Sequence, residues 1–114
     1  MRYALGIDTS CYTTSFALVS FEGKIAYNSQ VILEVERGKL GLRQSNAIFK
    51  HLQNIPSISE DIVKKVNTKK IAIVCSTTKP RPVANSYMPV FLVSNVIGKV
   101  ISDFLGVPFC SVSH

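Results

Sequence analysis

Short apolar runs fill the first third of the chain. Tyr3 to Thr9 is apolar with one glycine, and Thr13 to Ser20 is rich in Thr, Phe and Val. Glu22-Gly23 has the composition of a tight turn. Lys24 to Leu33 then alternates and carries Ile25, Tyr27, Val31 and Ile32. Three consecutive strands with short connections predict an antiparallel meander. Glu34 to Leu42 has two glycines and mixed charge, so it reads as a loop. From Gln44 the period changes: Ile48, Leu52 and Ile55 fall at i, i+4 and i+7, one face of a helix. Pro56 is expected to stop that helix. Ser57-x-x-Glu60 has the pattern of a capping box, with Ile58, Ile62, Val63 and Val66 forming a second short helical face that ends at Asn67-Thr68.

Lys70 to Ser76 is a short run with β-branched residues, which predicts a strand buried on both faces. Thr77 to Ser86 contains two prolines and reads as a loop. Pro89 suits the first turn of a third helix. In it Val93, Val96, Ile97, Val100, Ile101 and Phe104 recur at helical spacing. Gly106 offers a left-handed stop, Pro108 prevents continuation, and Val107 to Ser113 is a last strand. Strands that alternate with helices call for parallel pairing. The expected fold is therefore α/β, a three-strand antiparallel meander continuing into parallel βαβ units. That is the layout of a ribonuclease-H-like fold and of each lobe of the actin-like ATPases. Residues 1–114 are expected to form one domain.

Composition narrows the class. At 46% hydrophobic and 18% charged residues the chain is not intrinsically disordered. No apolar run approaches the roughly 18 residues of a membrane span, and no signal peptide is visible. The expectation is a soluble, cytoplasmic protein with no membrane partner. The net charge of +6 is spread out. Its densest group, Lys64, Lys65, Lys69 and Lys70, fits a solvated surface and is also compatible with RNA phosphates. Cys11, Cys75 and Cys110 are too few for a disulfide framework, and Cys75 and Cys110 read as buried thiols. There is no Cys-x-x-Cys pair and no His-Glu-x-x-His helix, so neither a structural zinc site nor a zinc protease is indicated.

The richest chemistry lies after the first strand, in Leu5-Gly6-Ile7-Asp8-Thr9-Ser10-Cys11-Tyr12-Thr13-Thr14. Backbone N–H groups in a tight turn can converge on an anion. Hydroxyls of Thr9, Ser10 and Thr13 can add donors, and a carboxylate at a strand end can hold a metal ion. These are the parts a nucleotide phosphate needs. The same residues also make an ordinary turn with its own side-chain bonds.

Gly6-Ile7-Asp8-Thr9-Ser10-Cys11 resembles the opening of the glycoprotease-like tRNA threonylcarbamoyladenosine transferases, formerly called O-sialoglycoprotein endopeptidases. His51-Leu52-Gln53-Asn54-Ile55 is similar to that family's His-Leu-Glu-Asn-Ile helix. Leu105-Gly106-Val107-Pro108, then Val112-Ser113-His114, is similar to its approach to a metal motif. The resemblance implies two actin-like lobes with ATP or an adenylate between them. It implies transfer of a threonylcarbamoyl group to tRNA, and a divalent metal ion (iron, zinc or magnesium) in the complete protein. Asp8, Thr9, Ser10, Cys11 and Thr13 would belong to the first phosphate loop, and His114 would match the first metal-binding histidine. On this reading the chain is the amino-terminal lobe. It is inactive alone, binds no cofactor alone, and works with a second lobe or partner subunit of the same superfamily. Only the complete enzyme would meet tRNA.

Departures from the family pattern point to a divergent branch. Cys11-Tyr12-Thr13-Thr14 stands where the family reads Cys-Asp-Glu-Thr, and Thr78-Lys79-Pro80-Arg81-Pro82 replaces a Gly-Pro-Gly loop. These favour an alternative: a non-catalytic interaction module, with a homodimer through its helices. His51 is expected at a surface or boundary position. His114 also reads simply as an exposed terminal residue. Lys79 and Arg81 could grip phosphate or remain an exposed basic loop.

Overall fold

The computed structural model describes residues 1–10, 12–34, 44–79 and 89–113. Cys11, His114, Arg81 and most of the two predicted loops lie outside them, as does the side chain of Lys79. The elements are β1 (Tyr3–Asp8), β2 (Thr13–Ser20), β3 (Ile25–Ile32), α1 (Gln44–Lys65), a 3-10 turn (Thr68–Lys70), β4 (Ile71–Lys79), α2 (Phe91–Leu105) and β5 (Phe109–Ser113).

The strands form one five-stranded sheet in the order β3-β2-β1-β4-β5. β1 pairs antiparallel with β2, and β2 with β3; β4 runs parallel to both β1 and β5. Alternation along the strands then sorts the side chains. Leu5, Ile7, Phe16, Leu18, Tyr27 and Val74 point to one face, where Ile58 and Ile62 of α1 cover them. Gly6, Asp8, Ala17, Asn28 and Cys75 line a shallow depression on the opposite face. The sheet thus has an antiparallel half made by local hairpins and a parallel half made by long crossovers, as a ribonuclease-H-like lobe requires.

Several expectations are corrected. Pro56 does not stop the helix; α1 runs through it for 22 residues. Proline removes one N–H and displaces the carbonyl four residues earlier. Here Leu52 and Pro56 are both exposed, so water can reach the freed carbonyl, and the remaining cost of about 3 kcal/mol is offset by the packing of Ile58 and Ile62 on the sheet. Ser57 accordingly caps nothing: its hydroxyl donates to the Asn54 carbonyl at 3.2 Å within the helix. β4 extends through Thr77 to Lys79, which were read as loop. Its burial is also one-sided, with Val74 and Ser76 buried but Ile73 and Cys75 only half-buried.

The remaining two corrections concern the helices. His51 is fully buried (0% exposed), because α1 lies over β2 and places its imidazole against Thr14. In α2 only half of the predicted stripe turns inward: Val93 is buried and Ile97 and Ile101 pack against the core, and Ser94, Gly98 and Ser102 at i, i+4 and i+8 are buried beside them. A Cβ built on Gly98 would collide with Ser76 Oγ and sit 2.8 Å from Phe109 Cε1. Small residues let the helix axis come close to β4 and β5. Val96, Val100 and Phe104 consequently stay exposed. Gly106 closes α2 in the left-handed region (φ 67°), as its sequence predicts.

At the other end of the sheet, Tyr27 of β3 donates to Asp61 Oδ2 of α1 at 3.0 Å, and Lys65 reaches the same oxygen at 3.3 Å. The Tyr27 hydrogen bond, then that of Lys65, lowers the Asp61 pKa; burial, then Asp61, raises that of Tyr27.

Candidate phosphate loop and its buried anchor

Asp8 ends β1 at the carboxyl end of the parallel pair β1/β4, the edge where α/β sheets carry ligands. Its Oδ1 accepts the Ser10 N–H at 2.8 Å and the Thr77 hydroxyl at 2.9 Å. The first bond folds the chain into an Asx-type turn. A second turn follows, in which Thr13 N–H donates to the Ser10 carbonyl at 3.2 Å. Together they carry the chain from β1 to β2. Ser10 and Thr13 are half-buried and Tyr12 is exposed.

Thr9 takes the opposite direction. It is fully buried, and its hydroxyl donates to the Val90 carbonyl at 2.8 Å while accepting the Ser94 N–H at 3.0 Å. Val90 and Ser94 are four residues apart, the natural partners of the first helical hydrogen bond of α2. The Thr9 oxygen is inserted between them. Val90, the residue at the start of α2, has no side-chain capping bond of its own. A threonine 85 residues away in sequence therefore satisfies the helix end from outside. Ser94 completes the cluster: its hydroxyl donates to the carbonyls of Thr77 and Phe91.

The structure thus brings Asp8, Thr9 and Ser10 together with Thr77 and Ser94, which the sequence reading passed over. The only local signal for the last two was polarity: a threonine in a loop-like stretch and a serine on an apolar helix. Thr9 has both capacities of its hydroxyl engaged by α2, which leaves Ser10 and Thr13 as the hydroxyls of the loop nearer solvent. Cys11, the fourth member of the predicted loop, lies outside the described residues.

A second buried set anchors the start of β2. Thr14 Oγ1 lies 2.7 Å from His51 Nδ1 and accepts the Asn54 amide at 3.1 Å. Because Asn54 donates, the Thr14 proton is available to the imidazole Nδ1. This set ties β2 to α1 as Thr9 ties β1 to α2. Among the described residues no three His, Cys, Asp or Glu side chains gather to hold a metal ion, and no helix is long and apolar enough to cross a membrane.

No protein-family model matches the chain. It is 32% identical over 111 residues to the tRNA N6-adenosine threonylcarbamoyltransferase of Thermotoga neapolitana, covering 96% of this chain and 32% of that protein. It is 25% identical over 117 residues to the enzyme of the same name from Rickettsia prowazekii, covering 100% of this chain and 29% of that protein. The chain thus spans about a third of the length of the curated relatives it matches. In fold it is similar to YeaZ from Pseudomonas aeruginosa (TM-score 0.69, 16% identity, 99% of this chain and 43% of that one). It is also similar to RuvC of T. thermophilus, solved with a Holliday junction substrate (TM-score 0.56, 10% identity, 99% of this chain and 65% of that one). The sequence match and the shared fold agree: along its whole length the chain resembles one part, about a third, of the tRNA N6-adenosine threonylcarbamoyltransferases.

Proposed function

We propose that this lobe forms one wall of an ATP or adenylate cleft in a threonylcarbamoyltransferase-like protein, and that the turn after β1 meets the phosphates. The observation that carries this reading is the position of that turn. Asp8, Ser10 and the head of α2 converge at the carboxyl end of β1 and β4. In this arrangement Ser10, Thr13 and the adjoining backbone face the nucleotide. Thr9 holds the loop against α2 and does not touch phosphate. Asp8, oriented by Ser10 and Thr77, is the carboxylate nearest any cation that accompanies the phosphates. Half a cleft gives weak binding, since phosphate and base contacts from the opposite wall are missing. A metal ion held through His114, a second lobe and tRNA belong to the complete enzyme in this reading.

Amide NMR with ATP and magnesium tests it. Shifts should be confined to Asp8, Ser10, Thr13, Thr77 and the first turn of α2, with a Kd weaker than about 1 mM. Absence of any shift there overturns the phosphate-loop assignment. Saturation at micromolar ATP overturns the one-wall picture.

One observation favours a second reading, the interaction module. Leu92, Val96, Val100 and Phe104 form an exposed stripe along α2, Phe104 being 89% exposed, and Phe49, Leu52 and Val63 are exposed on α1. Contiguous apolar surface of this kind marks a contact site. Light scattering on a sizing column should then show a dimer that Phe104→Asp converts to monomer. A strictly monomeric parent chain at high concentration sinks this reading.

A further inference from the structure

The open face of the sheet carries a pair of groups that neither reading uses. Cys75 of β4 and Cys110 of β5 are direct register partners in the parallel ladder. Cys75 is also the partner of Gly6 in β1, which puts both sulfurs on the side away from the helices. Both cysteines are free and half-buried. Neighbouring strands lie about 4.8 Å apart. That falls inside the Cα separation of about 4.4–6.8 Å that a disulfide spans. Their thiols are near enough to act on each other: burial pushes the Cys75 pKa up, and Cys110 adds to the rise through charge and hydrogen bonding. Cys110 sits on the edge strand and its Sγ contact with the Ser111 carbonyl is exposed, so it is the sulfur that a reagent reaches first.

We propose that Cys75 and Cys110 form a redox dithiol, which low-molecular-weight disulfides of the glutathione type close into an intrachain bond across β4 and β5. The Cys110 thiolate attacks one sulfur of the small disulfide and expels one small thiolate, leaving a mixed disulfide. Cys75 loses its proton and attacks the Cys110 sulfur, expelling the second small thiolate. Two protein thiols are oxidised, one small disulfide is reduced, and two small thiols leave with the two protons. Fixed adjacency makes the second step intramolecular and therefore faster than capture of another small disulfide. The Cβ atoms of a bridged pair must come to about 3.5–4.5 Å, closer than the ladder spacing. The strands are drawn together, and the bond stays easily reducible, as strained disulfides are. Closure would fix β5 to β4 two positions before the Thr77–Val112 pair, beside Asp8.

The test uses the reduced chain carrying Cys11→Ser, treated with excess oxidised glutathione, acid-quenched, alkylated and mapped by mass spectrometry. The expected product has lost both thiols, weighs two hydrogens less, yields a peptide pair joining Cys75 to Cys110, and reopens with reduced glutathione. A glutathione adduct retained on each cysteine, chains joined to one another, or full alkylation each overturns the proposal. The same mapping on the unsubstituted chain makes the result independent of how the variant folds. There, a bond that includes Cys11 overturns it as well.

Discussion

Thr9→Val should destabilise the protein by about 1–3 kcal/mol, although it exchanges one methyl-sized group for another. Valine matches the shape of threonine and fills the same buried space, so no cavity opens. What it lacks is the oxygen between Val90 and Ser94. The Ser94 N–H loses the acceptor it has at 3.0 Å, and the Val90 carbonyl loses the donor at 2.8 Å. A buried amide stripped of its partner costs far more than a hydrogen bond contributes when formed, because water cannot replace the partner. Urea unfolding reads the effect as a lower midpoint at unchanged slope. Thr9→Ser keeps the oxygen and should recover most of the loss. If the valine variant were as stable as the parent, the helix head would have closed its own bond, and the anchor would be dispensable. The same variant informs the functional reading, since the loop that Thr9 fixes is the one expected to meet phosphate.

Gly98→Val should be at least as damaging, by about 1–3 kcal/mol from overpacking alone. In a solvent-exposed helix the replacement of glycine would help, since glycine is about 1 kcal/mol worse than alanine there. At this position the added carbon meets Ser76 Oγ and lies 3.1 Å from Ser76 Cβ and 2.8 Å from Phe109. These neighbours belong to β4 and β5, which the ladder holds in place, so α2 must lift away from the sheet. Lifting weakens the Ser94 contacts with Thr77 and Thr9 at the same time. Thermal unfolding of Gly98→Ala and Gly98→Val should show a graded loss. A neutral or stabilising alanine would mean that α2 rides higher on the sheet than described. Ser76 offers a control: among the described residues its buried hydroxyl has no hydrogen-bond partner. Ser76→Ala should therefore be neutral or stabilising, and should soften the effect of Gly98→Ala.

How far these features could be read in advance depends on their range. The meander was legible because β1, β2 and β3 are joined by short turns, and period-two patterning plus Gly23 (φ 90°) is local information. The end of α2 at Gly106 was legible for the same reason. Pro56 misled because the rule that proline stops a helix is local, whereas α1 is held on both sides of it by His51 against Thr14 and by Ile58 and Ile62 against the sheet. The apolar stripe of α2 misled differently. Hydropathy selects Val93, Ile97 and Ile101, which turn inward, and equally Val96, Val100 and Phe104, which do not, while the sheet takes Ser94, Gly98 and Ser102 by size. The candidate site was half legible. Asp8 and Ser10 speak through their own turn, while Thr77, Val90 and Ser94 come together only through a crossover of some eighty residues.

The strand order sets a schedule for folding as well as a shape. β1 lies in the middle of the sheet, yet its parallel neighbour begins at Ile71, opposite Tyr3. The opening strand can zip to β2 as soon as the first hairpin exists, but its other edge stays bare until about fifty more residues have been made. Closing so long a loop has an entropic cost that no local contact offsets. During synthesis the amino-terminal hairpin therefore waits with one flank unprotected, and the segment made first is among the last to be fully enclosed.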